Sequence, residues 1–167
     1  SFDDPSAILN EILAVEEAHT RLHRVAKAFG EGYQASHLYA VGQLPNDQET
    51  YNKVFMTIVA LLCMERIQFM ASFAVTFAIC DTGLFQPIGK AIQKIAQDEL
   101  EIHVELDKAV LLHEMTTERG KIAFAALKDD IRALIREVVD SELKWIDYLF
   151  SDGRELVGMN AERLASW

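Results

Sequence analysis

The sequence predicts an all-α fold, an antiparallel bundle of four long helices, and three observations carry that prediction. Half of the 167 residues are hydrophobic, enough for a single domain with a sizeable core. Proline and glycine are scarce, at three and eight, so long stretches run without a breaker and a many-turned β fold is disfavoured. Within those stretches apolar residues recur at helical spacing.

The elements follow in order. Asp4-Pro5-Ser6 reads as a helix start, because proline fits the first turn. Ile8, Ile12, Leu13, Val15, Leu22, Val25 and Phe29 then recur with helical periodicity, and Gly30 and Gly32 are expected to end this helix. Leu44-Pro45-Asn46-Asp47 reads as a loop. A second helix is expected over residues 49–79, stopped by Asp81-Thr82-Gly83. A third is expected over 87–114, with a break at Thr116-Thr117 and Arg119-Gly120. A fourth, over 121–150, ends at Ser151-Asp152-Gly153, where glycine suits the left-handed closing position. The tail to Trp167 reads as a short helix or loop. Short connections make such helices antiparallel neighbours. There is no internal repeat, glycine-rich phosphate loop, Gly-x-Ser-x-Gly or Cys-x-x-Cys.

A net charge of −10 excludes a basic nucleic-acid-binding surface, so no nucleic-acid partner is expected. The plain reading of the acidic excess is a solvated surface; the sharper one is that some carboxylates are kept for metal. Cys63 and Cys80 lie on one expected helix, about 25 Å apart along its axis, too far for a disulfide. Buried, reduced thiols fit a cytoplasmic protein. The opening Ser1-Phe2-Asp3-Asp4-Pro5 lacks a basic region and an apolar run, so no leader is expected. The runs 54–64 and 69–79 are apolar, but Glu65, Arg66 and Gln68 between them are costly in lipid. A helix buried in a bundle is expected there, not a membrane span.

Three clusters carry chemistry. Glu16 and His19 are three apart and share a helix face, read as the apolar one, where a shared metal would satisfy both. Alone, Glu-x-x-His arises often by chance on solvated faces. Glu65 is flanked by apolar turns on both sides; a buried arginine would neutralise it, but adjacent Arg66 points elsewhere, so metal is the better reading. Glu99 and His103 are four apart, with Glu101, Glu105 and Asp107 nearby, and some of these acids belong to a solvated face. Together the clusters match carboxylate-bridged di-metal bundles, which use a lone Glu from two helices and Glu-x-x-His from two others. Oxygen and imidazole donors suit iron or manganese.

The run Glu65-Arg66-Ile67-Gln68-Phe69-Met70-Ala71-Ser72-Phe73 resembles a ligand helix of ribonucleotide reductase small subunits, which have a ferritin-like fold. Ile95-Ala96-Gln97-Asp98-Glu99 resembles their next ligand helix, and the segment from Glu142 through Trp145, Tyr148 and Gly153 to Gly158-Met159-Asn160 resembles their closing helix and Gly-x-Asn turn. The resemblance covers most of residues 8–163. It implies a di-iron, di-manganese or mixed iron–manganese centre held by Glu16, His19, Glu65, Glu99 and His103. Phe69, Phe73 and Ile95 would line an apolar radical pocket, and Asp98 would orient the imidazole of His19. It further implies a homodimer that uses O2 to make an oxidant, usually a tyrosyl radical. A large subunit then uses that oxidant to reduce ribonucleotides to deoxyribonucleotides.

Four departures from the family pattern follow. Its upstream carboxylate ligand is not found; Asp3, Asp4, Glu137 or Asp140 are possible substitutes, and an absent segment is the expected reason. Residues 1–167 are expected to lack the family's N-terminal helix and C-terminal tail. His23 stands where the radical tyrosine lies in the family, so the oxidant is stored in the metals, on another residue, or not at all; an ordinary histidine is the plain reading. One extra residue separates Glu99 from His103, which a π-bulge would absorb. The stretch from His19 to Glu65 is short. The alternatives are another ferritin-like di-metal oxidase, an iron-handling protein, or a metal-free helical interaction protein.

Overall fold

The computed structural model describes residues 4–167. Those residues form α1 (Pro5–Leu13), α2 (Glu16–Ala40), α3 (Gln48–Cys63), α4 (Phe69–Asp81), α5 (Gln86–Asp98), α6 (Val104–Glu114), α7 (Glu118–Leu149) and α8 (Ala161–Ala165). Two π-helical segments, Met64–Gln68 and Glu99–His103, splice α3 to α4 and α5 to α6. The second, third and fourth expected rods are therefore present, two of them with a widened turn in the middle.

The first expected helix differs. Asp4 caps α1 by accepting from the amides of Ser6 (3.0 Å) and Ala7 (3.3 Å), but the helix stops at Leu13 and α2 begins at Glu16. Gly30 and Gly32 do not end it; α2 runs on to Ala40. The reason is packing. Its buried stripe is Ala18, Val25, Gly32 and Ala35, mostly small residues that let α3 approach closely. A Cβ on Gly32 would fall 1.7 Å from Thr57 Oγ1, so the glycine makes room for a neighbour.

Asp47 caps α3 by accepting from the Thr50 amide at 2.9 Å. The rod Gln48–Asp81 is long and apolar enough to cross a membrane. In this fold it is a core element, packed along its length by α2, α5, α6, α7 and α8, with Glu65 and Gln68 buried at its middle. Its apolar residues form the centre of three clusters. Phe55, Val59, Ala60 and Cys63 meet Val25 of α2 and Ala123, Leu134 and Val138 of α7. Ala71 and Ala74 meet Ile146 and Leu164, closing α7 and α8 onto α4. Met70 and Phe73 meet Ala96 of α5. Cys63 and Cys80 are buried free thiols, and burial pushes the Cys63 thiol up to about 11. Gly153 takes a left-handed φ of +72° in the turn that follows α7.

The α6–α7 corner places one sharp demand on sequence. Thr117 Oγ1 donates to the Glu114 carbonyl (2.8 Å) and accepts from the Gly120 amide (2.9 Å). A Cβ on Gly120 would lie 1.9 Å from that same backbone carbonyl oxygen. Alanine favours a helix by about 1 kcal/mol over glycine, yet here the backbone itself must move. Gly120→Ala is expected to destabilise the protein by about 1–3 kcal/mol net. An unchanged midpoint in denaturant would contradict this.

Candidate metal centre

The two π segments lie against each other, and each presents acid to the other. In a π turn the backbone ring closes from i to i+5, so one residue is added without breaking the rod. In the second segment that extra residue is the one separating Glu99 from His103. The expected bulge is there, and it leaves His103 Nδ1 2.9 Å from Glu99 Oε2 and 3.7 Å from Glu65 Oε1. One ligand atom from each of Glu65, Glu99 and His103 falls within 4.8 Å of the others. Glu65 and Glu99 are buried, and His103 is exposed on one side.

A fourth residue belongs to this neighbourhood. Asp107 lies one turn beyond His103 and is only 7% exposed. Its carboxyl group meets that of Glu65 and feels the charges of Glu99 and His103. Glu101 and Glu105, by contrast, are on the solvated face. The spacing of residues 99, 103 and 107 in successive fours puts Asp107 on the same side of the rod, but packing is what turns it inward and leaves Glu101 and Glu105 in solvent.

The electrostatics are unfavourable as they stand. Burial first, then the carboxylates of Asp107 and Glu99, push Glu65 up to about 7. Burial raises Asp107 as well. His103 is raised by its hydrogen bond to Glu99 and by the surrounding acids, Asp98 included. Among the described residues no lysine or arginine pairs with Glu65, Glu99 or Asp107. A divalent cation would supply the missing charge, and an oxygen-rich set with one imidazole suits iron or manganese.

The raised groups all bind protons more tightly folded than unfolded. Their stabilisation is complete below the unfolded carboxylate range, near pH 4, and is lost as pH rises through about 7, the Glu65 value. The metal-free protein is therefore expected to resist denaturant better at pH 5 than at pH 8. A higher midpoint at pH 8 would contradict this.

The other expected residues sit elsewhere. Glu16, His19 and His23 are exposed, not on the apolar face of α2. The buried stripe through Ala18 and Val25 turns them toward α7. The rings of His19 and His23 stack at 5.9 Å, and both line a surface cleft with Arg24, Asp140 and Lys144. The ligands expected for two ions are thus not assembled in one place among the described residues. Asp4 is a helix cap, Glu137 pairs with Arg24 at 2.7 Å, and Asp3 lies outside the described residues. Asp98 is exposed. Phe69 and Phe73 do form an apolar contact, with ring centroids 5.9 Å apart, backed by Met70, Phe77 and Ala96. Ile95 is 45% exposed and stands outside that cluster, whereas Ile92, one turn earlier, packs into it.

What α2 contributes to the interior is Arg21, which sequence reasoning missed. Its Nε lies 2.5 Å from Glu142 Oε1, and its Nη2 donates to Ser72 Oγ (3.0 Å) and to the Gln68 carbonyl. Gln68 Nε2 donates back to the Arg21 carbonyl. The guanidinium also stands 5.5 Å from the Trp145 ring. Burial raises the Glu142 carboxyl, and Arg21 opposes that rise. This knot ties α2 and α7 to the end of the first π segment, three residues from Glu65.

Residues 3–167 match the family model described as ribonucleotide reductase, small chain. A ribonucleoside-diphosphate reductase 1 subunit beta of Salmonella typhimurium is 25% identical over 99% of this chain and 47% of its own length. The subunit beta of Haemophilus influenzae is 25% identical over the same shares. That of Buchnera aphidicola from Baizongia pistaciae is 26% identical over 98% and 46%. The chain spans about half the length of these curated relatives.

Proposed function

The chain belongs to the ribonucleotide reductase small-chain family, and on that premise we propose that it carries the metal centre of a ribonucleoside-diphosphate reductase β subunit. Its partner is a large subunit that converts ribonucleotides to deoxyribonucleotides, and its location is cytoplasmic. The observation that carries the reading is the Glu65–Glu99–His103 group between the two π segments, with both carboxylates buried. Those residues fit an iron or manganese ion, because their surplus negative charge has no other counter-ion among the described residues. When bound, the metal centre supplies, by reaction with O2, the oxidising equivalent that the large subunit uses.

The protein's own residues bind, orient and exclude. Glu65 and Glu99 bring the charge that holds the ion. Glu99 accepts from His103 Nδ1 and so fixes the ring; loading the ion requires protons to leave this group. Phe69 and Phe73, one and two turns beyond Glu65, keep water from that side, as an oxidising equivalent demands. A homodimer is part of the proposal: Ile88, Ile95, Ile102 and Leu106 leave an apolar outer face along α5 and α6 for a second copy. A monomer mass by light scattering would count against it.

The functional reading is tested by loading the chain with ferrous iron without oxygen, admitting O2, and adding a large subunit with a ribonucleoside diphosphate. Oxygen uptake by the loaded chain, and deoxyribonucleotide only when both proteins are present, are expected. A loaded chain that consumes no oxygen would contradict the proposal.

A further inference from the structure

The strongest unexplained feature is a pair of buried carboxylate oxygens. Glu65 Oε2 and Asp107 Oδ2 are both fully shielded from solvent and have no hydrogen-bond partner. Their side chains are 5% and 7% exposed as residues and meet each other. A proton shared between the two groups would pair these oxygens only while one acid stays neutral, whereas a cation would hold both of them ionised. Buried carboxylate atoms of this kind are costly unless something binds them. Among the described residues the only basic group at the cluster is His103, which already bonds Glu99 at 2.9 Å. Arg66, adjacent to Glu65, is exposed and lines a different groove with Leu62, Leu100 and Ile135.

Asp107 follows the second π segment and is buried beside Glu65. Glu99 and His103 meet at 2.9 Å within that segment, and regular α-helix from Val104 places Asp107 one turn beyond His103. We propose that Asp107 is a metal ligand, joining Glu65, Glu99 and His103 in the metal centre through its contact with Glu65. This rests on the metal-centre reading above and deepens it. Three carboxylates and one imidazole match a hard or borderline divalent ion, with any further positions left to water.

Cobalt(II) alone is the probe, added to the full chain under reducing, oxygen-free conditions. Calorimetry on Asp107→Asn is expected to show an affinity lower by about a hundredfold, while the metal-free variant melts no lower than wild type because a buried acid has been removed. In Asp107→Cys, cobalt is expected to produce a near-ultraviolet thiolate-to-metal band absent from wild type. An Asp107→Asn affinity close to wild type, or an Asp107→Cys variant that binds cobalt without that band, overturns the assignment and leaves the metal centre standing. A wild-type chain that takes up no cobalt overturns both.

Discussion

Replacing Glu65 with alanine is expected to abolish metal uptake, and replacing Glu99 is expected to do the same. Each carboxylate is buried; Glu65 faces His103 across the junction of the two π segments, and Glu99 bonds it within the second. Removing either takes away a charged donor, and with Glu99 the partner of His103 as well, so the loss should exceed the roughly 10–100-fold typical of outlying residues. Alanine also leaves a cavity, so Glu65→Gln and Glu99→Gln are the companion variants, with similar volume and no charge. They are expected to fold, to lose the ion and to melt at or above the metal-free wild-type temperature, since each relieves repulsion among the acids. The sharpest readout is manganese(II) counted by electron paramagnetic resonance in the bound and free fractions. Unchanged stoichiometry in either glutamine variant would remove that residue from the site.

Arg21→Ala has the largest expected effect on stability. It strands Glu142, which is 5% exposed, without its 2.5 Å partner, and it also releases the Gln68 carbonyl. Breaking a buried ion pair from one side costs about 3–5 kcal/mol. Arg21→Met with Glu142→Leu, which removes both charges and keeps apolar volume, is expected to recover much of that loss. Chemical denaturation of the three proteins decides it: a single variant as stable as wild type, or a double variant no better than the single, contradicts this account of the knot. Because Gln68 closes the first π segment, Arg21→Ala is also expected to weaken metal binding through position alone.

How far the sequence carries depends on the residue. The rods were legible because Asp81-Thr82-Gly83 and the Thr116–Gly120 stretch interrupt otherwise unbroken helical periodicity. Glu65 was legible because an acid inside a long apolar run has few ways to be satisfied. The π turn at Glu99–His103 was legible as a spacing anomaly, one residue too many. The π turn at Met64–Gln68 was not, since no composition marks an i→i+5 ring. Asp107 hid among Glu101 and Glu105; only packing decides which acid on a charged rod is turned inward. The α2 residues misled for the opposite reason. Its buried stripe is built of Ala18, Gly32 and Ala35, which carry little hydrophobic signal, so Glu16 and His19 were assigned the wrong face. Arg21 reaches the interior by length, which periodicity does not register.

The measurement that tests the central claim most directly is iron per chain after anaerobic loading with ferrous ion and removal of the excess by gel filtration. The account predicts about one tightly held ion per chain, retained in wild type and absent from Glu65→Gln. A folded wild-type chain that elutes free of iron, or a Glu65→Gln variant that keeps it, would contradict the assignment of this buried group as a metal centre.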